Sequence, residues 1–254
     1  MELHIITGRA GAGKSRKVLE TVAAQRFQRP QVLLVPEHAT HEAELDLCRA
    51  LGDTASRDAE VLSFQSLATR VLSQTGGIAD ITLDNGGKIL TMRRALQDVS
   101  SFLTVFARPS QRPAFLRELV ALADELYAYR IPPALLLQQV RDIPGAAGDK
   151  LRSTALLFSA YDARLHSGDF DARSKVQKLC DSLPDSGYLA EKDLYIDGFS
   201  YFNRTEEDIL AAALKQAHSV TVTLLGDDSD PQLFSNGVRQ CHRLRKLAKE
   251  CGCK

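Results

Sequence analysis

Two kinds of hydrophobic spacing divide this chain. Over the first 75 residues, short unbroken apolar runs alternate with stretches whose apolar residues recur every three or four positions. Leu3–Thr7 reads as a buried strand, and Lys14–Phe27 as a helix with Val18, Val22 and Ala23 on one face. Pro30 breaks that helix, and Gln31–Val35 is a second buried strand closed by Pro36. A helix over about 41–51, a short strand over Glu60–Leu62, and a helix capped by Ser63 that carries Leu67, Val71 and Leu72 complete the stretch. This alternation predicts a parallel sheet with helices on its faces.

From about Leu83 to Leu183 the spacing is helical throughout. It predicts helices over about 85–99, 112–130, 133–142, 148–166 and 171–182. Pro109, Pro113, Pro132–Pro133, Pro144–Gly145 and Pro184 act as breakers, with Asp84 and Ser182 as cap or turn residues. The first texture then returns as a strand over Leu194–Asp197, a helix over Thr205–Ala217, a strand over Ser219–Leu225 ending at Gly226–Asp228, and a basic helical close. The expected organisation is an α/β sheet domain built from residues 1–80 and 190–254, interrupted by an all-helical insertion over 81–189.

Composition narrows the picture modestly. The 254 residues are 44% apolar and 25% charged, which is ordinary for a globular protein. Lysine plus arginine equals aspartate plus glutamate at 32 each, so contact with nucleic acid has to come from local patches. No apolar stretch approaches the ~18 residues of a membrane span. The first predicted strand starts within three residues of Met1, so no leader is expected. Five cysteines are too sparse for a disulfide framework, so a reduced, cytoplasmic protein is expected.

The candidate chemistry sits at the front of the chain. Gly8-Arg9-Ala10-Gly11-Ala12-Gly13-Lys14-Ser15 matches G-x-x-x-x-G-K-[ST] at every fixed position, between a predicted strand and a predicted helix. Glycines let backbone N–H groups curl around phosphate oxygens, and the start of a helix adds its positive end. Lys14 would reach the outer phosphates of ATP, and the Ser15 hydroxyl would ligate Mg²⁺. A plain glycine turn is the alternative. Such a P-loop also needs an acid at a strand end for the magnesium, and Asp197 is the candidate. A motor ATPase usually has a glutamate next to orient water. Here Gly198 follows, and Glu206 or Glu207 would substitute only if the fold returned one to the site. Binding of Mg·ATP with slow or absent turnover is expected. Near the chain's end, Cys241, His242, Cys251 and Cys253 have poor metal spacing. The basic face of Arg239, Arg243, Arg245, Lys246 and Lys249 reads either as solvated or as phosphate-contacting.

Taken in order, several stretches resemble the amino-terminal region of the AddB (RexB) family, the B subunit of the bacterial ATP-dependent helicase/deoxyribonuclease. They are the glycine loop, "LLVPEHATHEAEL" at 33–45, "VLSFQSLATRVL" at 61–72, "LDNGGKILTMRRAL" at 83–96, "DKLRSTALLFSAYDARL" at 149–165 and "LYIDGFSYFNRTEEDIL" at 194–210. His38 stands where the family commonly has Gln, and His41 where an aromatic is usual. The resemblance implies a RecA-like, superfamily-one motor domain with an inserted helical subdomain. It also implies a degenerate motor that helps to recognise the Chi sequence in double-strand-break processing, with an A subunit and DNA as partners. A second motor-like domain and a nuclease domain with an iron–sulfur cluster are expected beyond this segment. By analogy with helicase loops, His38 and Thr40 after the second strand would touch DNA backbone, unless Thr40 simply caps a helix. Ser63 and Phe64 occupy the next such loop, where Phe64 either stacks on a base or lies in the core. The rival readings are a small P-loop phosphotransferase and a non-hydrolysing, nucleotide-stabilised module that binds DNA or a partner.

Overall fold

The computed structural model describes residues 2–52, 55–76, 83–106, 112–167, 174–227 and 229–253. In chain order its elements are β1 (Glu2–Gly8), α1 (Lys14–Ala24), β2 (Gln31–Leu34), α2 (Thr40–Leu51), α3 (Ala55–Asp58), β3 (Ala59–Leu62), α4 (Phe64–Thr75), α5 (Asn85–Val99), α6 (Pro113–Ala128), α7 (Pro133–Val140), α8 (Gly145–His166), α9 (Lys175–Ser186), β4 (Asp193–Ile196), α10 (Arg204–Gln216), β5 (Ser219–Leu225) and α11 (Ser235–Glu250). Single 3₁₀ turns precede α2 at Glu37–Ala39 and follow α5 at Ser100–Phe102.

The five strands form one parallel sheet in the order β1-β5-β4-β2-β3, so strands from the two ends of the chain interleave. Alternation along β2 explains how the sheet is sandwiched. Val32 and Leu34 point into a core shared with α4, α9, α10 and α11. Leu33 and Val35 point into the opposite core, against Val18 and Val22 of α1 and Leu47 and Leu51 of α2. Capping follows the sequence closely. Ser63 and Ser66 make a reciprocal capping box at α4, Asn203 and Glu206 make another at α10, and Asp84 accepts from Gly87 N at 2.7 Å to start α5.

Contacts divide the chain into two compact units, residues 1–78 with 175–254, and residues 79–174. The second unit is helical and has its own core, in which Met92 and Leu96 of α5, Leu119 and Val120 of α6, and Leu157, Phe158 and Tyr161 of α8 pack together. One boundary differs from expectation. The helix predicted over 171–182 appears as α9, which belongs to the sheet unit and packs Leu179 and Leu183 into the core with Leu67 and Val71 of α4. The sheet unit therefore resumes at 175 rather than 190. Ser182, read as a turn residue, lies inside α9, as does Pro184. Gln216 Nε2 donates to the carbonyls of Leu183 (2.5 Å) and Pro184 (2.7 Å), satisfying acceptors at the helix end. The predicted breaker Pro109 and the end of the turn at Asp228 lie outside the described residues. Among the described residues, no helix is long and apolar enough to cross a membrane.

Candidate functional site

In a parallel sheet the loops that follow the strands gather at one edge, where ligands commonly bind. The first of them joins β1 to α1, and each glycine in it has its own physical reason. Gly11 and Gly13 take φ values of +74° and +84°, a region that side-chain-bearing residues rarely enter. A Cβ on Gly8 would come within 3.3 Å of the Ala12 Cβ and 3.5 Å of the Lys14 Cγ. Ala12 N donates to Arg9 O at 3.2 Å, closing the turn. Gly13 is the N-cap of α1, no side chain caps the helix, and its first turn has no acid. Lys14 Nζ folds back to donate to the carbonyls of Gly8 (2.9 Å) and Arg9 (2.8 Å).

Arg9 is engaged from the other side of the chain. Its guanidinium pairs with Asp227 in the loop after β5, reaches Ser229 Oγ at 3.3 Å and lies 5.9 Å from the Phe234 ring centre. The Ser229 hydroxyl and backbone N–H, together with Arg9, hold the Asp227 carboxyl at about 2, below its ordinary 3.8.

Asp197 follows β4 directly. Its N–H donates to Leu34 O of β2 at 3.0 Å, and its Oδ1 accepts the Thr223 hydroxyl of β5. The register places these two level, since Ile196 pairs with Val222. Ser15 and Asp197 line one cavity of about 250 Å³ at the head of α1. Val18, Leu33 and Val35 form its apolar wall, and Glu42 and Asp46, one turn apart on α2, add carboxylates. Amide donors and an ammonium suit an anion, while a hydroxyl and a carboxylate suit a hard cation. Among the described residues, no three His, Cys, Asp or Glu side chains come together as a metal cage. The closing cysteines instead donate to α10, Cys251 to Ala211 O at 3.6 Å and Cys253 to Leu214 O at 3.1 Å.

A model of the family described as "ADDB, N-terminal" matches residues 5–254. The chain belongs to this family. It is 33% identical to the B subunit of the ATP-dependent helicase/deoxyribonuclease of Moorella thermoacetica over an aligned length of 269 residues, covering 99% of this chain and 23% of that protein. The protein of the same name from Desulforamulus reducens is 36% identical over 236 residues, covering 89% of this chain and 20% of its own length. That of Clostridioides difficile is 30% identical over 271 residues, covering 100% and 23%. The chain thus spans between a fifth and a quarter of these relatives.

In this member of the AddB N-terminal family, the residues proposed for DNA contact separate into two groups. His38 is exposed in the 3₁₀ turn before α2. Thr40 opens α2 and donates its hydroxyl to Glu37 O at 2.9 Å, and the N-cap is Ala39, so Thr40 is not the cap. Ser63 and Phe64 are buried. Ser63 is committed to its capping box, and the Phe64 ring packs edge-on against Phe199 at 5.4 Å, which makes Phe64 a core residue rather than a stacking platform. Neither Glu206 nor Glu207 of α10 lines the cavity. Glu206 accepts from Asn203 N at 2.8 Å, with burial pushing its carboxyl above the usual range, and Glu207 pairs with Arg243 at 3.1 Å. Three features were missed by sequence reasoning: the Thr223 bond, the Arg9–Asp227 clamp, and Glu42 with Asp46. The first has a faint signal in the alternating Ser219, Thr221 and Thr223 of an otherwise apolar strand, and the last in the i, i+4 spacing.

Proposed function

We propose that this chain is the ATP-binding, helicase-like amino-terminal region of the B subunit of an ATP-dependent helicase/deoxyribonuclease, with a RecA-like P-loop fold in its sheet unit. The observation that carries the reading is that Ser15 and Asp197, at opposite ends of the sequence, line the same cavity at the head of an uncapped helix. The residues fit the implied group. Loop amides and Lys14 embrace the triphosphate, with Lys14 exchanging its bonds to the Gly8 and Arg9 carbonyls for phosphate oxygens. The Ser15 hydroxyl and Asp197 supply oxygen ligands to Mg²⁺. Bound magnesium supplies charge neutralisation at the phosphates. The topology supports the fold reading, because the loop strand β1 and the acid-bearing strand β4 are separated by one strand whose Thr223 steadies the acid.

With Gly198 after the acid, this region binds nucleotide with little or no turnover. It acts beside an A-type subunit and DNA in break repair as a degenerate motor contributing to Chi-type recognition. Calorimetric titration with a non-hydrolysable ATP analogue tests the site. Lys14→Ala is expected to weaken binding about tenfold or more with or without magnesium. Asp197→Asn is expected to weaken it in the presence of magnesium. Equal binding by wild type and Lys14→Ala refutes the assignment. An ATPase assay with and without single-stranded DNA separates a silent nucleotide site from a weak motor.

A further inference from the structure

The glycine loop carries two cations, and both bond to the chain itself. Lys14 Nζ donates to the Gly8 and Arg9 carbonyls, and the Arg9 guanidinium pairs with Asp227 of the loop after β5. That loop meets the glycine loop again through its backbone, since Gly226 N donates to Gly8 O at 3.2 Å. The Gly8 carbonyl thus serves Lys14 and Gly226 together. From Asp227 the tie runs on to α11, because Arg9 also reaches Ser229 Oγ and lies over the ring of Phe234, the N-cap of that helix.

Three features suit the Arg9–Asp227 pair to being exchanged rather than fixed. The Arg9 side chain is 61% exposed, and an ion pair so open to water is weak and screened by salt. The two Asp227 oxygens have separate partners. Oδ2 faces Arg9, while Oδ1 accepts the Ser229 N–H at 2.8 Å and its hydroxyl at 2.7 Å, so loss of Arg9 leaves the carboxylate hydrogen-bonded. Arg9 is also a residue of the very loop proposed to hold the triphosphate, and a guanidinium bonds phosphate oxygens as readily as a carboxylate.

We propose that Asp227 is a built-in competitor of phosphate: it holds Arg9 until a polyphosphate chain takes the guanidinium, and that exchange releases the loop after β5 and the head of α11. The inference rests on the nucleotide reading of the glycine loop and adds a regulator to it. By linkage, phosphate binding and release of the β5–α11 loop favour each other by the same factor. Whatever draws that loop away from Arg9 therefore tightens the nucleotide site.

Titration with inorganic tripolyphosphate and with a non-hydrolysable ATP analogue tests it. Asp227→Asn keeps an oxygen for Ser229 and removes the competing charge, so both ligands are expected to bind about threefold to fivefold tighter, with the gain shrinking as salt is added. In an Arg9→Ala background the same substitution is expected to change nothing. The chain has no tryptophan, so Phe234→Trp places a single fluorophore beside Arg9. Its emission is expected to shift on addition of tripolyphosphate and to stay constant when Arg9→Ala is combined with it. Unchanged emission at saturating ligand overturns the proposal. Tightening by Asp227→Asn that persists without Arg9 does so too, because simple repulsion then accounts for it. If Asp227→Asn binds as wild type does while Lys14→Ala weakens binding, the competitor is refuted and the nucleotide site stands. Wild type that binds neither ligand removes the site and the competitor together.

Discussion

On the proposed reading, Gly198 marks the chemical difference between holding a nucleotide and hydrolysing it. Its φ is +83°, and a Cβ there would lie 3.3 Å from the Pro36 ring. A glutamate at 198 would thus meet both backbone strain and the loop after β2. We expect Gly198→Glu to lose about 1 kcal/mol or more of stability in chemical denaturation and to gain no phosphate release. The clamp on the glycine loop gives a second expectation at this scale. The Asp227 carboxyl titrates at about 2 in the folded chain, below its ordinary 3.8. Its contribution is therefore complete above pH ~4 and is lost as pH falls through about 2. Carbon-13 titration of Asp227 should give a midpoint of about 2, and a midpoint at the ordinary value would mean that Arg9 and Ser229 do not hold it. The glycine turn between β1 and α1 was legible in the sequence, since its eight residues are contiguous. The parts played by Asp227 and Thr223 were not, because each depends on which strands and loops become neighbours, and contiguous spacing carries no such information.

At the level of elements, periodicity and punctuation carried far. The predicted strands and helices appear within a few residues of their expected ends, because short unbroken apolar runs fit strands buried on both faces of a sheet covered by helices. Misplaced ends have identifiable causes. α8 starts at Gly145 rather than 148, with Pro144 as N-cap and φ of +75° at Gly145. α9 runs two residues past Pro184, and Gln216, from another helix, donates to the end carbonyls of Leu183 and Pro184. Side-chain caps in the sheet unit should account for measurable stability. Ser63→Ala removes one half of the box at the head of α4, and a loss of about 1 kcal/mol is expected in urea unfolding. Asn203→Ala at α10 should cost a similar amount, with the Glu206 carboxylate left on the N–H of residue 203.

Among the described residues the hydrophobic side chains gather in three cores, one on each face of the sheet in the first unit and one in the helical unit around Met92, Leu119 and Phe158. Calorimetric unfolding is accordingly expected in two steps rather than one. If the sheet unit binds Mg·ATP, a ligand at a hundred times its dissociation constant should stabilise that unit by about 2.7 kcal/mol and leave the helical transition where it was. Coincident shifts of both transitions would show that the two units unfold together. The interleaved strand order also bears on the sequence of events at the ribosome. β1 is made first, but its partner in the sheet is β5, since Glu2 aligns with Ser219 and Gly8 with Leu225. The helical unit is fully synthesised before β4 or β5 exists. A nascent chain can therefore bury its helical middle early, while its opening segment stays without a sheet partner until β5 has been made. That wait leaves the glycine loop without a finished scaffold, and makes the amino terminus the part of the emerging polypeptide that most needs a chaperone's cover.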